Sequence, residues 1–225
     1  MRNTIESGEE MYFADKEIHF DNGLSIEGKA VYENCRIYCN EAESSGGIEI
    51  EEDGELEFIN CELICCGRVP DKKNYVFYFV KSDNGSLTMK NCKIHNFFHF
   101  ATGCFQQLEV SDSEFNDCAG GLFDTDTDEK GNISNCKFNC RKLPEFISEY
   151  YEIEAAGIFD RYERTLIKGW LDISACTFDF AKDIGLTALD LEDISDVKDC
   201  TFVNDVAVPA ELCSGLTTCI QCQFA

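Results

Sequence analysis

The fold of this chain is indicated by a ten-residue phrase that occurs twice, as GELEFINCEL over residues 54–63 and as GSLTMKNCKI over residues 85–94. Apolar and polar residues alternate before each Asn-Cys pair, as in a strand with one buried face. A glycine begins each phrase, where a turn is expected. Each phrase therefore predicts a short strand that ends in a tight turn at asparagine.

The end of this phrase recurs as a small or polar residue, a Cys or Ser, any residue and a large apolar one. The eight copies begin at Asn34, Asn60, Asn91, Asp112, Asn135, Ala175, Asp199 and Gln221. Successive copies are 26, 31, 21, 23, 40, 24 and 22 residues apart. A period of about 20 to 30 residues made of strands and turns is typical of a solenoid. Helical repeats fit poorly, because the apolar spacing is two rather than about 3.6.

The phrase Gly-x-Leu-x-apolar-x-Asn-Cys-x-apolar resembles the right-handed parallel β-helix repeat of pectate-lyase-like proteins. The resemblance extends over about residues 22–225. It implies an all-β fold, a single-stranded right-handed parallel β-helix (solenoid) of about eight or nine coils. This fold carries lyases, hydrolases, adhesins and non-catalytic scaffolds, so the resemblance implies no particular activity.

Two stacks of side chains are expected from this arrangement. Equivalent positions in successive coils lie about 4.8 Å apart, and asparagine tolerates the left-handed backbone of a tight turn. We therefore expect a hydrogen-bonded ladder of Asn34, Asn60, Asn91 and Asn135 at one turn. The cysteines that follow in the phrase are expected to point inward and stack; they are Cys35, Cys61, Cys92, Cys136, Cys176, Cys200 and Cys222.

The cysteine content indicates a reducing compartment. The chain has 15 cysteines in 225 residues, an odd number, and its N-terminal residues lack an apolar signal segment. A secreted disulfide framework generally has an even number in a shorter chain. We therefore predict free thiols and a cytoplasmic protein. Cys219 and Cys222 form a CxxC pair, but no second pair lies at the spacing of a zinc finger.

The repeat predicts one β-helix domain over residues 1–225 with three irregular regions. Residues 1–21 are expected to form an N-terminal cap. Long intervals predict a loop over 64–77 and a longer insertion over 141–169, in which Pro144 is placed to begin a short helix. The sequence stops inside the repeat, so either residues 205–218 fold back over the last coil or another chain covers it. The second alternative predicts a homodimer through an uncapped C-terminal end.

No motif for catalysis or for a cofactor emerges. The chain lacks the Gly-His-Gly and Arg-x-Lys phrases of polygalacturonase-like hydrolases, so we predict no catalytic residues and no cofactor. Asp124, Asp126 and Asp128 resemble the start of a calcium loop. However, Glu129 stands where that loop has glycine, and Asn135 stands where it has the closing glutamate. This segment is interpreted as a solvated turn, with a calcium site as the alternative.

The charge excludes several classes of partner. Acids outnumber bases by 43 to 19, giving a net charge of −24. A surface that binds nucleic acid directly, or one that adheres to anionic membranes, is therefore not expected. No run of about 18 apolar residues predicts a membrane-spanning helix.

An acidic patch is the strongest functional signal that remains. Its members are Glu49, Glu51, Glu52, Asp53, Glu55 and Glu57. Alternation with apolar residues is expected to point Glu49, Glu51, Glu55 and Glu57 outward together. Such charge also keeps a β-rod soluble. We predict a non-enzymatic binding module or scaffold whose acidic face or 141–169 insertion meets another protein; a basic protein would complement the acidic face.

Two other functions remain open at this point. Twenty-four charges on a rod about 40 Å long approach the linear charge density of duplex DNA, so the chain could be a DNA-mimic inhibitor of a nucleic-acid-binding protein. That hypothesis needs two rows of acids on one face. The third hypothesis is a calcium-dependent or degenerate carbohydrate-active β-helix protein, for which convergent carboxylates and aromatics along one sheet are needed.

Overall fold

The structure is a computed structural model. It describes residues 3–20, 23–39, 47–66, 78–97, 99–127, 130–143, 165–181, 184, 186–191, 195–203 and 218–224. These residues contain 24 strands and no helix, and hence no helix that could cross a membrane. The prediction of an all-β chain is confirmed for this part of the sequence.

The first twelve strands are β1 (Asn3–Ile5), β2 (Glu10–Ala14), β3 (Glu17–Phe20), β4 (Leu24–Ile26), β5 (Lys29–Glu33), β6 (Arg36–Cys39), β7 (Ile48–Ile50), β8 (Glu55–Ile59), β9 (Glu62–Cys65), β10 (Val80–Lys90), β11 (Lys93–His95) and β12 (Ala101–Ser111). The remaining strands are β13 (Glu114–Asn116), β14 (Phe123–Thr127), β15 (Gly131–Ser134), β16 (Lys137–Cys140), β17 (Thr165–Gly169), β18 (Leu171–Ser174), β19 (Thr177–Phe180), β20 (Thr187–Leu191), β21 (Asp196–Lys198), β22 (Thr201–Val203), β23 (Thr218–Ile220) and β24 (Gln223–Phe224).

The strands form three series in which each strand pairs in parallel with the equivalent strand of the next repeat unit. The first series is β1, β4, β7, the start of β10, the start of β12, β14, β17 and β20. The second is β2, β5, β8, the end of β10, the end of β12, β15, β18, β21 and β23. The long strands β10 and β12 join these two series into a 15-stranded sheet, and the third series is a separate 9-stranded sheet, from β3 to β24.

The turn between the second and third series has the same backbone conformation in every described repeat unit. One residue there has a φ between 53° and 56°, namely Asp15, Asn34, Asn60, Asn91, Asp112, Asn135, Ala175, Asp199 or Gln221. Asn60 Nδ2 donates a hydrogen bond to Asn34 Oδ1 at 3.2 Å, and Asn91 Nδ2 donates to Asn60 Oδ1 at 2.8 Å. Asparagine suits this position because its short polar side chain tolerates left-handed backbone.

Inward side chains stack in register and form the core. In the third series one such row runs Ile18, Ile37, Leu63, Ile94, Phe115, Phe138, Phe178, Phe202 and Phe224. The five phenylalanine rings stack nearly parallel to one another, with neighbouring centroids 4.7 to 5.4 Å apart and interplanar angles of 5° to 10°. Ring stacking of this kind adds to the stabilisation that burial provides.

The irregular regions differ from the sequence-based expectation in two places. Residues 3–20, expected as an N-terminal cap, form β1 to β3 and extend the three series by one unit. Residues 165–169, expected inside the insertion, form β17, which pairs with β14 and β20. Neither segment contains the Cys or Ser phrase of the repeat, so the sequence pattern does not identify either as part of a repeat unit. The expected helix near Pro144 and most of the expected 64–77 loop lie outside the described residues.

Candidate functional site

The predicted acidic patch divides between two series of strands. Glu49 lies on β7, in the first series, where its carboxylate is 4.0 Å from Lys81 Nζ. Glu51 follows β7 and accepts a hydrogen bond from Ser25 Oγ at 2.7 Å. Glu52 and Asp53 are exposed in the turn before β8. The remaining two residues, Glu55 and Glu57, lie on β8 in the second series.

Glu55 and Glu57 line a polar cleft on the outer side of the second series. The cleft has a volume of about 340 Å³ and lies across β8, β10 and β12. Its other lining residues are Leu56, Ser86, Thr88, Gln106 and Gln107. The surface therefore combines two carboxylates with hydroxyl and amide groups, which can bind both a cation and a peptide or sugar hydrogen-bonding group.

An irregularity in the pairing of β10 with β12 shapes this cleft. The register shifts between Asp83 and Gly85 and again between Gly85 and Ser86, so that Asn84 and Gln106 are each skipped in the pairing. Asn84 adopts a left-handed φ of 63°. Extra residues of this kind redirect neighbouring side chains, and they are frequent next to functional sites.

Lys29 of β5 is the cation that faces both carboxylates of the cleft. Its Nζ lies 3.0 Å from Glu55 Oε2, and it also donates a hydrogen bond to Glu57 Oε1. These hydrogen bonds, Glu57 first, raise the pKa of the Lys29 ammonium well above its usual value. Two carboxylates thus share one ammonium, which leaves this group of three residues with a net negative charge.

Charges of opposite sign alternate along one outward row of the third series. In the third series the row runs Glu17, Arg36, Glu62, Lys93, Glu114 and Lys137. Arg36 Nε lies 3.0 Å from Glu62 Oε2, and Lys137 Nζ lies 3.3 Å from Glu114 Oε1. The second series differs, because one of its outward rows holds Glu57, Thr88, Glu109, Asn132 and Asp172 and no base. The DNA-mimic hypothesis needs two rows of acids on one face and stays a prediction.

A second cluster of titratable groups was missed by sequence reasoning. Tyr78 Oη donates a hydrogen bond to Asp124 Oδ2 at 3.0 Å, and Lys168 Nζ lies 4.0 Å from the same oxygen. The His99 ring lies 4.8 Å from the Tyr78 ring and is 3% exposed. Burial, and secondarily the nearby Lys168 charge, lower the pKa of His99 to about 3. These residues come from four repeat units, so no local motif indicates them.

The weak calcium candidate involves this second cluster. Asp124 is engaged by Tyr78 and lies near the Lys168 ammonium, a neighbour that disfavours a bound cation. Asp126 lies on β14, but the structure does not describe its side chain, and Asp128 lies outside the described residues. In the part of the chain that is described, no three potential metal-ligating side chains come together.

The cysteines of the repeat occupy the position after the left-handed residue, as follows from the strand register. Cys35, Cys61, Cys92, Cys136, Cys176 and Cys200 are buried, and Cys222 is half-buried; all seven are free thiols. Each thiol contacts a backbone carbonyl of the preceding repeat unit; for example, Cys61 Sγ donates to the Tyr32 oxygen at 3.2 Å. Such thiols act as small apolar residues whose weak donor is satisfied.

No protein-family model matches this sequence, and no curated protein matches it either.

Proposed function

We propose that this chain is a right-handed parallel β-helix that serves as a binding module, and that its polar cleft receives a basic segment of a partner protein. The three series of parallel strands, the constant left-handed turn and the resemblance of the repeat phrase support the solenoid. Within the part of the chain that the structure describes, strands pair with their equivalents in neighbouring repeat units, which is the connectivity expected of such a fold.

The main support for binding of a basic segment is the cleft lined by Glu55 and Glu57. A guanidinium or ammonium group from a partner complements the two carboxylates, which Lys29 alone does not balance. The exposed Glu52 and Asp53 extend the negative field beside the cleft and favour the approach of a basic segment. The hydroxyl and amide groups of Ser86, Thr88 and the two glutamines are available to the backbone of that segment.

The proposal is tested with a fluorescent octapeptide of alternating arginine and glycine, titrated by anisotropy at low and at high salt. We expect binding that weakens as salt rises, because the contact is electrostatic. Glu57→Gln is expected to weaken binding about tenfold, the scale of one charge-assisted contact at an interface. The matched control is Glu114→Gln, which removes an outward carboxylate that pairs with Lys137 away from the cleft.

Equal effects of the two substitutions would mean that the peptide responds to net charge rather than to the cleft, and that result would overturn the proposal. A peptide that does not bind at low salt would overturn it as well. Circular dichroism of both variants shows whether the fold is retained, which is expected because both side chains lie on the outer surface.

The carboxylates, hydroxyls and amides of the cleft meet part of the requirement for a second candidate, a carbohydrate-active protein, although the residues that line the cleft include no aromatic side chain. An uncharged oligosaccharide in place of the peptide tests it, because hydrogen bonds between neutral groups respond little to salt. Binding of the sugar that is insensitive to salt, and unchanged by Lys29→Gln, would favour this candidate over the protein-binding one. Adding calcium to the same titration tests the metal-dependent form of the hypothesis.

A further inference from the structure

The Lys29 ammonium is already bound between the two carboxylates of the polar cleft. The carboxylate oxygens nearest to its Nζ are Glu55 Oε2, at 3.0 Å, and Glu57 Oε1, to which it donates a hydrogen bond. A carboxylate accepts hydrogen bonds through two oxygens. Glu55 Oε1 and Glu57 Oε2 can therefore accept from a second cationic group while Lys29 keeps its place.

Lys29 is a constant occupant of this place. Its side chain is 32% exposed and that of Glu57 is 26% exposed, so both lie against the outer surface of the sheet. The hydrogen bonds to the glutamates, Glu57 first, raise the pKa of Lys29 well above its usual value. The ammonium therefore stays charged at neutral pH and holds the two carboxylates in a defined arrangement.

The two sides of these carboxylates differ in charge. On one side Lys29 lies directly opposite Glu55 across β5 and β8. On the other side Ser86 and Thr88 of β10 lie opposite Glu55 and Glu57. Only neutral hydroxyl groups thus face the two carboxylates from β10, which is the side that opens into the cleft.

The third series shows that a carboxylate in this fold can have a base on each side. Glu62 lies opposite Arg36 on one side and opposite Lys93 on the other. Because β9 follows β8 in the chain, Glu62 belongs to the same repeat unit as the two carboxylates of the cleft. The equivalent place in the second series, over β10, has no base of its own and suits a cation supplied by another molecule.

The shape of a guanidinium suits this place better than that of an ammonium. Glu55 and Glu57 lie two residues apart on one face of β8, so their Cα atoms are about 6.6 Å apart. A guanidinium is planar, carries five N–H donors in a rigid fork and is more weakly hydrated than an ammonium. It can donate to both carboxylates at once. An ammonium is a point charge that bridges the two only from between them, and Lys29 occupies that position.

We propose that Lys29 sets the specificity of the cleft, so that the cleft accepts an arginine of the partner and disfavours a lysine. The inference rests on the proposed function, because it concerns the same cleft and the same basic segment. Lys29 excludes a second ammonium from the position between Glu55 and Glu57. It leaves one oxygen of each carboxylate for the fork of a guanidinium.

Two fluorescent octapeptides test the inference, one of alternating arginine and glycine and one of alternating lysine and glycine. Their charge and spacing are equal, so only the cationic group differs. By anisotropy at low salt we expect the unmodified chain to bind the arginine peptide about tenfold more tightly, the scale of one additional hydrogen bond to a charged group. Lys29→Gln is expected to bring the two affinities within about twofold, because the lysine peptide then occupies the vacated position and binds more tightly.

The matched control is Lys137→Gln, which removes a base that pairs with Glu114 away from the cleft. It changes the net charge by the same amount as Lys29→Gln and is expected to leave the ratio of the two affinities unchanged. Circular dichroism shows whether each variant retains the fold. Lys29→Met replaces Lys29→Gln if the glutamine variant is unfolded, because methionine keeps an apolar stem against the sheet.

Equal binding of the two peptides by the unmodified chain would overturn the inference, and the proposed function would stand if Glu57→Gln still weakens binding. An arginine preference that persists in Lys29→Gln would overturn it as well. So would a preference that disappears only because the arginine peptide binds less tightly, since Lys29 would then not exclude lysine. If neither peptide binds, the proposed function fails and this inference fails with it.

Discussion

The two halves of the inward row in the third series fill the same positions with different chemistry. The first half is aliphatic, from Ile18 to Ile94, and the second half is aromatic, from Phe115 to Phe224. The adjacent turn changes as well, since asparagines predominate in the first half, and Ala175, Asp199 and Gln221 occupy it at the end. The backbone is nevertheless the same, with φ between 53° and 56° at every turn. Register and turn geometry are thus the constant features, and side-chain identity varies within them.

The largest expected change in the free energy of unfolding comes from a substitution in the aromatic half of the row. Phe138 is fully buried between Phe115 at 4.7 Å and Phe178 at 4.8 Å. We expect Phe138→Ala to lower the free energy of unfolding by about 3–5 kcal/mol, because it leaves a cavity inside the stack. Phe224→Ala is expected to change it by less than about 1 kcal/mol in the monomer, because that ring is mostly exposed. Guanidinium unfolding measures both; equal losses would show that the end of the stack is buried in solution.

The second largest expected effect is a dependence of stability on pH. It comes from His99, which lies where the inward row changes from aliphatic to aromatic. In the unfolded chain His99 takes up a proton near pH 6.5, whereas in the folded protein burial lowers its pKa to about 3. Between these values the unfolded chain binds more protons. The unfolding free energy is therefore expected to fall by about 1.4 kcal/mol for each unit that the pH drops through this window, with no contribution above it.

The His99 ring packs against Tyr78, and the Lys168 charge acts on it. The contribution of His99 is isolated by subtracting the curve of His99→Asn, because asparagine does not titrate and tolerates the left-handed φ of 60° found there. Parallel stability curves for the two proteins between about pH 4 and pH 7 would contradict the prediction.

The smallest expected effects on stability come from the asparagine ladder at the left-handed turns. One of the two substitutions there is expected to raise stability. Asn60→Ala removes hydrogen bonds to Asn34 and Asn91 and places alanine in left-handed backbone, at an expected cost of about 1–2 kcal/mol. Ala175→Asn makes the opposite change. Its amide is placed to donate to Asn135, so stability is expected to rise by about 1 kcal/mol. Thermal unfolding of the two variants measures both effects, and a loss at Ala175→Asn would mean that the ladder does not contribute to stability.

The features that could be predicted from the sequence are those encoded within a few neighbouring residues. Alternation in Leu56-Glu57-Phe58 predicted a strand, and Asn60 predicted the turn that follows it. The first repeat unit was missed because Lys16 stands where the phrase has cysteine, although Asp15 has the same φ of 53°. The cleft was missed because Glu57, Thr88 and Gln107 come from three repeat units, and parallel pairing of β8, β10 and β12 brings them together.

By itself, the sequence determined a chain of parallel β repeats with inward apolar rows and left-handed turns. These properties follow from alternation and from backbone preference, which act within about ten residues. Only the tertiary structure decided which charges meet. Lys29 lies between Glu55 and Glu57, and Arg36 lies beside Glu62, because parallel register brings residues of successive repeat units together. A shift of one residue would turn those side chains to the other face of the sheet, so the charge pattern is a property of the register.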